Sequence, residues 1–358
     1  LLLVTATGIC SMMGASINVI PFMIQKNVPG IGPYVVPAFL FAAIPAVFAA
    51  YAYAILSSAM PRAGGSYLYA SRGLSPYLGF IASFSQWFGL SIVIGVISYI
   101  IVPFIRDIFF NLELNNISDF LEIGYVRLFI SLMLIWSFVL VNILGGKVYK
   151  NTLIPMLVIM FVLGSIVIIT GFIYDQKDFI NSVLSTDNRV IETISDSKFD
   201  LKIFLTAATL MFSSFIGFDA IAQTGNEAKN PTKNIPRAIL LAIFIVASYY
   251  ILFTVSVYNV VPWNFVADES LTKDITAPGL LSYVLPSFWG ILIIIGAAIA
   301  LINDLPAMIL SVSRLMFAWA RDNIFPSSVA IIHSKFKTPY IAIIFVGIVA
   351  SIGAIGSH

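Results

Sequence analysis

The chain has 358 residues, 59% of them hydrophobic and 10% charged, with a mean hydropathy of +0.99. Globular domains carry about 25% charged residues, so composition excludes an ordinary water-soluble domain; the net charge of +2 matters less than where the charges sit, and no nucleic-acid partner is expected. The single cysteine, Cys10, excludes an intrachain disulfide, and with only His333 and His358 beside it there is little for a metal site.

Spans read as runs without Asp, Glu, Lys or Arg, since about 20 apolar residues cross the hydrocarbon. In chain order they are Leu1–Gln25, Asn27–Pro61, Gly73–Ile105, Leu128–Gly146, Asn151–Tyr174, Ile203–Asn226, Ala238–Ala267, Ile275–Ala320 and Thr338–His358. The pattern predicts an all-α polytopic membrane protein with nine helices in a lipid bilayer. The opening Leu1-Leu2-Leu3 has no basic n-region and no cleavage site, and reads as a span with a cytoplasmic lead-in rather than a signal peptide. Pro286 predicts the start of the eighth helix, and the polar stretch 175–202 predicts an outer loop with a short amphipathic helix.

Nine spans alternate the loops between two faces. One face collects Arg62, Arg72, Lys147, Lys150, Lys229, Lys233, Arg237, Arg314, Arg321, Lys335 and Lys337, against the acids Glu227 and Asp322. The other carries the remaining Lys and Arg and most of the acids, including Asp107, Glu113, Asp119, Glu122, Asp268, Glu269 and Asp274. The positive-inside rule makes the first face cytoplasmic, with the chain start inside, in the plasma membrane.

Two apolar spans contain glycine at their middle: Met12-Met13-Gly14-Ala15-Ser16-Ile17-Asn18 and Phe215-Ile216-Gly217-Phe218-Asp219-Ala220. An unwound segment survives in a bilayer only where protein or a cavity satisfies its backbone, and paired interruptions point to a transporter's binding site. Glycine also serves close helix packing, so the pairing carries the reading. The amides around Gly14, Ala15, Ser16 and Ile17 would hold a carboxylate. The carbonyls near Met13, Phe215 and Ile216 would hold an amine. Phe212, Phe215 and Phe218 would form an apolar wall, with no basic residue near the pocket.

Two acids fall inside spans, Asp219 and Asp304. A charge at bilayer depth costs about 3 kcal/mol on insertion scales, and such groups usually face a cavity, a partner or an ion path. Asp219 stands where an N-cap belongs, so a cap is the first reading and a ligand the second; Ser16 is placed alike after Gly14. Asp304, with Asn303 beside it, Ser311 two turns on and Pro306 freeing a carbonyl, suits a coupling proton or a hard cation such as Na⁺. A neutral, hydrogen-bonded acid is the alternative. An intramembrane aspartyl enzyme would need both carboxylates to share a proton at about 3 Å, and no motif of catalysis or nucleotide binding accompanies them.

Three loop motifs carry a family resemblance. Pro61-Arg62-Ala63-Gly64-Gly65-Ser66-Tyr67 with Arg72-Gly73 is one. Glu227-Ala228-Lys229-Asn230-Pro231 with Ile235-Pro236-Arg237-Ala238 is the second. Ser313-Arg314 with Ala320-Arg321-Asp322-Asn323-Ile324-Phe325-Pro326 is the third. In this order they resemble the amino acid–polyamine–organocation (APC) transporters, and Gly217-Phe218-Asp219 resembles that family's G-F-E with Asp for Glu. The resemblance implies a LeuT-type fold of two inverted five-helix repeats with helices 1 and 6 unwound. This chain would then hold about nine of twelve helices: residues 1–174 as the first repeat, 175–202 as an extracellular loop, and 203–358 as part of the second. It implies a permease, not an enzyme, that moves an amino acid or related amine by alternating access. Neutral amino acids are expected, with proton or cation coupling or exchange. Polyamine or cationic amino acid transport or antiport, and a transport-dead amino acid sensor, are the alternatives. No cofactor is implied beyond a coupling H⁺ or Na⁺. The resemblance also places Asn303 and Asp304 near the cation position of sodium-dependent relatives. Many proton-coupled members carry a lysine in helix 5; Asn151–Gly171 has none, which makes Asp304 the candidate replacement.

Overall fold

A computed structural model of the chain describes residues 1–14, 16–191, 198–225, 228–272 and 275–358, with the backbone alone for Ser16. The helices are α1 (Leu2–Met12), α2 (Ser16–Asn27), α3 (Val35–Ala59), α4 (Gly65–Gly73), α5 (Pro76–Asn111), α6 (Asn115–Glu122), α7 (Gly124–Ile143), α8 (Gly146–Ile173), α9 (Gln176–Asp187), α10 (Leu201–Phe212), α11 (Ala220–Gln223), α12 (Pro231–Val260), α13 (Trp263–Thr272), α14 (Ala277–Leu281), α15 (Ser287–Arg321) and α16 (Tyr340–Gly356). Eight helical segments among the described residues are long and apolar enough to cross a membrane. Two of them are interrupted, α1 with α2 and α10 with α11. The ninth expected span forms α16, an apolar helix of 17 residues, at the short end of what crosses. The protein is therefore an all-α, multi-span membrane protein.

Local chemistry sets the helix starts. Ser75 accepts a hydrogen bond from the Leu78 N–H at 3.2 Å, and Pro76 opens α5 at its first position. Asp200 caps α10 through the N–H groups of Lys202 and Ile203. Asp175 and Asp178 form a reciprocal capping box on α9, which opens the polar stretch after α8 and buries Phe179 and Val183. α15 begins directly after Pro286.

The apolar side chains gather into two main clusters. One draws on α1, α2, α3, α10 and α12, the other on α5, α7, α15 and α16. α8 packs against α12 on one side and α15 on another. The most enclosed spans are α1–α2 and α15, with 75% and 67% of their apolar windows buried; a membrane helix hidden from lipid lines an interior.

The first and third loop motifs meet at one end of the bundle. Gly64 (φ +110°) and Gly65 (φ +22°) let α4 lie against the helix ends: a Cβ on Gly64 would stand 2.8 Å from the Ala318 Cβ, and one on Gly65 3.0 Å from the Ala222 Cβ. The Tyr67 hydroxyl donates to the Asp322 carboxylate at 2.8 Å, joining the first motif to the third. Glu227 of the second motif lies outside the described residues.

Candidate functional site: a cavity between two broken helices

α1 ends at Met12 and α2 begins at Ser16. α10 ends at Phe212 and is followed by a 3-10 turn over Ser213–Phe215, an extended Ile216 and Gly217 at φ +131°. The helix resumes at Ala220. Two hundred residues apart in the chain, the interruptions touch. A Cβ on Gly217 would stand 2.6 Å from the Ser11 carbonyl carbon and 3.0 Å from the Met12 nitrogen. Only glycine meets both demands there, the positive φ and the missing side chain. The Tyr250 hydroxyl of α12 donates to the Met12 carbonyl, which ties off the end of α1.

A cavity of about 990 Å³ opens at this junction. Its walls are Ser11, Met12 and Gly14 from the first break, Ser213, Ser214, Ile216, Gly217 and Asp219 from the second, Leu90, Val93 and Ile97 from α5, and Asp304, Met308 and Ser311 from α15. It is thus walled by helices of both apolar clusters. It runs along α5 to Arg106 and Asp107, with Arg127 of α7 and Thr276 beside them. The 16 residues from Leu90 to Arg106 span about 24 Å. The expectation of no basic residue at the pocket therefore holds only for its inner end; the far end carries two arginines. Arg106 is paired with Asp107 and Glu122 at 2.6 and 2.7 Å, and the Arg127 guanidinium lies 3.8 Å from the Tyr99 ring centroid.

Both intramembrane acids line this cavity, at 7% and 6% exposure for Asp219 and Asp304. Their surroundings differ. The Asp219 carboxylate accepts the Gln86 side-chain amide of α5. Its backbone is already helical (φ −66°, ψ −23°) and its side chain makes no capping bond, which corrects the expected N-cap: the carboxylate turns across to α5 instead of back onto its own helix. Asp304 sits at the middle of α15, 17 residues and about 25 Å from either end. Its carboxyl lies against Gly14, where a Cβ would stand 3.0 Å from the Asp304 Cγ. Its Oδ1 is buried with no hydrogen-bond partner. No hydrogen bond joins Asp219 to Asp304 among the described residues.

Several expected site residues lie elsewhere. Met13 and Ile17 face a separate void of about 20 Å³ lined also by Asn18, Met160 and Tyr249. Phe215 is fully buried against Phe39 and Tyr250, and Phe218 packs edge-on against Tyr53. With Phe212 they are absent from the cavity wall, whose apolar surface includes Met12, Leu90, Val93, Ile97, Phe104 and Met308. Asn303 points away from Asp304, because neighbours on a helix sit about 100° apart; its amide donates to the Cys10 sulfur of α1 at 3.0 Å. The Asn142 amide of α7 donates to the Pro306 carbonyl at 3.2 Å. Ala15 and the Ser16 side chain lie outside the described residues. Ser11, Ser214 and the α5 wall were not singled out from sequence. Serines in an apolar span are the signal for the first two; nothing local marks the third.

The model of the amino acid permease family matches residues 1–357, and the chain belongs to that family, within the APC superfamily. Its relatives are transport proteins rather than enzymes. It is 30% identical over 149 residues to the branched-chain amino acid permease BcaP of Bacillus subtilis, which covers 41% of this chain and 31% of that protein. It is 29% identical over 208 residues to the cationic amino acid transporter 9, chloroplastic, of Arabidopsis thaliana, covering 54% and 35%. It is 31% identical over 149 residues to the methylthioribose transporter of Bacillus subtilis, covering 42% and 31%. The matched region thus spans about a third of the length of these relatives.

Proposed function

We propose that this chain is the substrate-binding part of a plasma-membrane secondary transporter that moves amino acids by alternating access. One observation carries the reading: two broken helices from distant parts of the chain abut at a cavity walled by helices of both apolar clusters. Such a cavity opens to one side or the other when one group rocks against its neighbour. In this account α1, α2, α3, α10 and α12 form the moving group, and α5, α7, α15 and α16 the frame. The arrangement fits a LeuT-type pair of inverted repeats, with 1–174 as the first, 203–358 as part of the second, 175–202 as an outer segment, and the chain start cytoplasmic. The mouth at Arg106 and Arg127 then faces outside, and the α4 end faces the cytoplasm.

The apolar wall supports neutral amino acids as substrates, and the name of the branched-chain relative agrees. The two buried carboxylates support a second reading, cationic amino acids, in line with the name of the cationic relative. Transport runs with a coupling H⁺ or Na⁺, or as exchange. The test is uptake of labelled leucine and lysine into liposomes bearing the full-chain protein. Saturable uptake of leucine is expected. Uptake of lysine alone would favour the cationic reading, and binding without uptake would favour a sensor.

A further inference from the structure

The backbone carbonyls that broken helices offer to an amine are partly occupied in this protein. The Met12 carbonyl accepts the Tyr250 hydroxyl, the Ser213 carbonyl accepts the Ile216 N–H at 3.2 Å, and the Gly217 carbonyl accepts the Ala220 N–H at 3.0 Å. Side-chain oxygens also face the cavity. Ser11 Oγ, Ser214 Oγ and Asp304 Oδ1 are each buried without a hydrogen-bond partner, and all three residues line the same cavity. They come from three elements: the last turn of α1, the 3-10 turn after α10, and the middle of α15.

Buried polar atoms are normally paired, and an unpaired one costs about 1–3 kcal/mol, more when charged. Three such atoms on one cavity therefore point to a missing partner. A primary ammonium has three N–H donors and one positive charge. Two hydroxyl oxygens and a carboxylate oxygen match it in number and in charge. A bare proton on Asp304 would leave both serine hydroxyls unpaired, and Ca²⁺ or Mg²⁺ favours six or more oxygen ligands; Na⁺ has no N–H donors, so N-methylation of the substrate separates an ammonium seat from a sodium site.

Resting on the transporter reading, we propose that Ser11, Ser214 and Asp304 form a seat for the substrate's ammonium group, with Asp304 as its counter-charge. The substrate class is then amino acids with an unsubstituted amine. The selectivity comes from side chains on α1, α10–α11 and α15 as well as from free helix ends. Each methyl added to the nitrogen removes one donor and brings an apolar group against an unpaired oxygen.

The test is a binding series on the full-chain protein in detergent. The probes are L-leucine and L-lysine, each with its Nα-methyl and Nα-trimethyl forms. The seat predicts at least tenfold weaker binding of the trimethyl forms, an intermediate loss for the methyl forms, and at least a tenfold loss for the parents in Asp304→Asn. Ser11→Ala with Ser214→Ala should lose severalfold. These losses should be the same with and without Na⁺. Equal binding of parent and trimethyl forms to the unaltered protein would overturn the seat, even if Asp304→Asn fails to fold. So would parent affinity retained in Asp304→Asn while uptake loses its Na⁺ or pH dependence, which would make Asp304 a coupling site. If neither leucine nor lysine binds, the amino acid transporter reading falls, and the seat with it.

Discussion

Gly14 and Asp304 are in contact: the space a side chain would fill at position 14 is taken by the Asp304 carboxyl, whose Cγ stands 3.0 Å from where a Cβ would be. The break between α1 and α2 therefore does two things. It frees helix ends, and it lets the backbone approach an acid buried at the middle of α15. A helix with an ordinary side chain at position 14 would either push Asp304 aside or open the junction.

Gly14→Ala should accordingly impair binding more than folding. Overpacking of this kind costs about 1–3 kcal/mol, and here part of it falls on the orientation of Asp304. We expect at least a tenfold loss of amino acid affinity with a modest fall in apparent Tm. Gly290→Ala, where a Cβ meets nothing within 4 Å, is the control and should leave both unchanged. Equal behaviour of the two variants would contradict the contact.

Gly217→Ala should be more severe. Its φ of +131° is strained for any residue with a side chain, and its Cβ would press on the backbone of Ser11 and Met12. Backbone cannot swing away as a carboxyl can. We expect a sharp drop in the yield of monodisperse protein and a larger loss of apparent Tm than in Gly14→Ala.

At the other end of the bundle, Tyr67 and Asp322 should behave as a pair. Removing the hydrogen bond by Tyr67→Phe or Asp322→Ala should cost about 1 kcal/mol each, and the double variant little more than either. The Tyr67 hydroxyl is pushed up to about 12, chiefly by burial and then by donating to Asp322. Its unfolded value is about 10. The folded state therefore holds this proton longer, so the contribution is complete below pH 10 and is lost as pH rises toward 12. Thermal unfolding from pH 8 to 12 should show the gap between the protein and Tyr67→Phe narrowing above pH 10.

Much of this organisation is legible in the sequence. Charge-free runs locate the spans, Pro286 locates the start of α15, and the two intramembrane acids stand out because every other acid falls outside those runs. Both glycine interruptions coincide with helix ends. The sequence does not reveal which way side chains turn where a helix stops, because the 3.6-residue period no longer applies there. That is why Phe215 and Phe218 pack into the core rather than the cavity, and why Asp219 reaches Gln86 instead of capping α11. Contacts between remote segments are equally hidden: nothing near Gly14 signals Asp304, and nothing near Ser11 signals Gly217. The wall from α5 is a generic apolar helix face until its neighbours are known.

The central claim is that the two breaks and the cavity between them carry amino acids across the membrane. Counterflow tests it most directly: liposomes bearing the full-chain protein are loaded with unlabelled leucine and diluted into a trace of labelled leucine. The account predicts a transient accumulation of label above equilibrium, abolished in Gly217→Ala protein that still folds. Leucine and lysine binding without any such overshoot would contradict transport and leave the cavity as a receptor site.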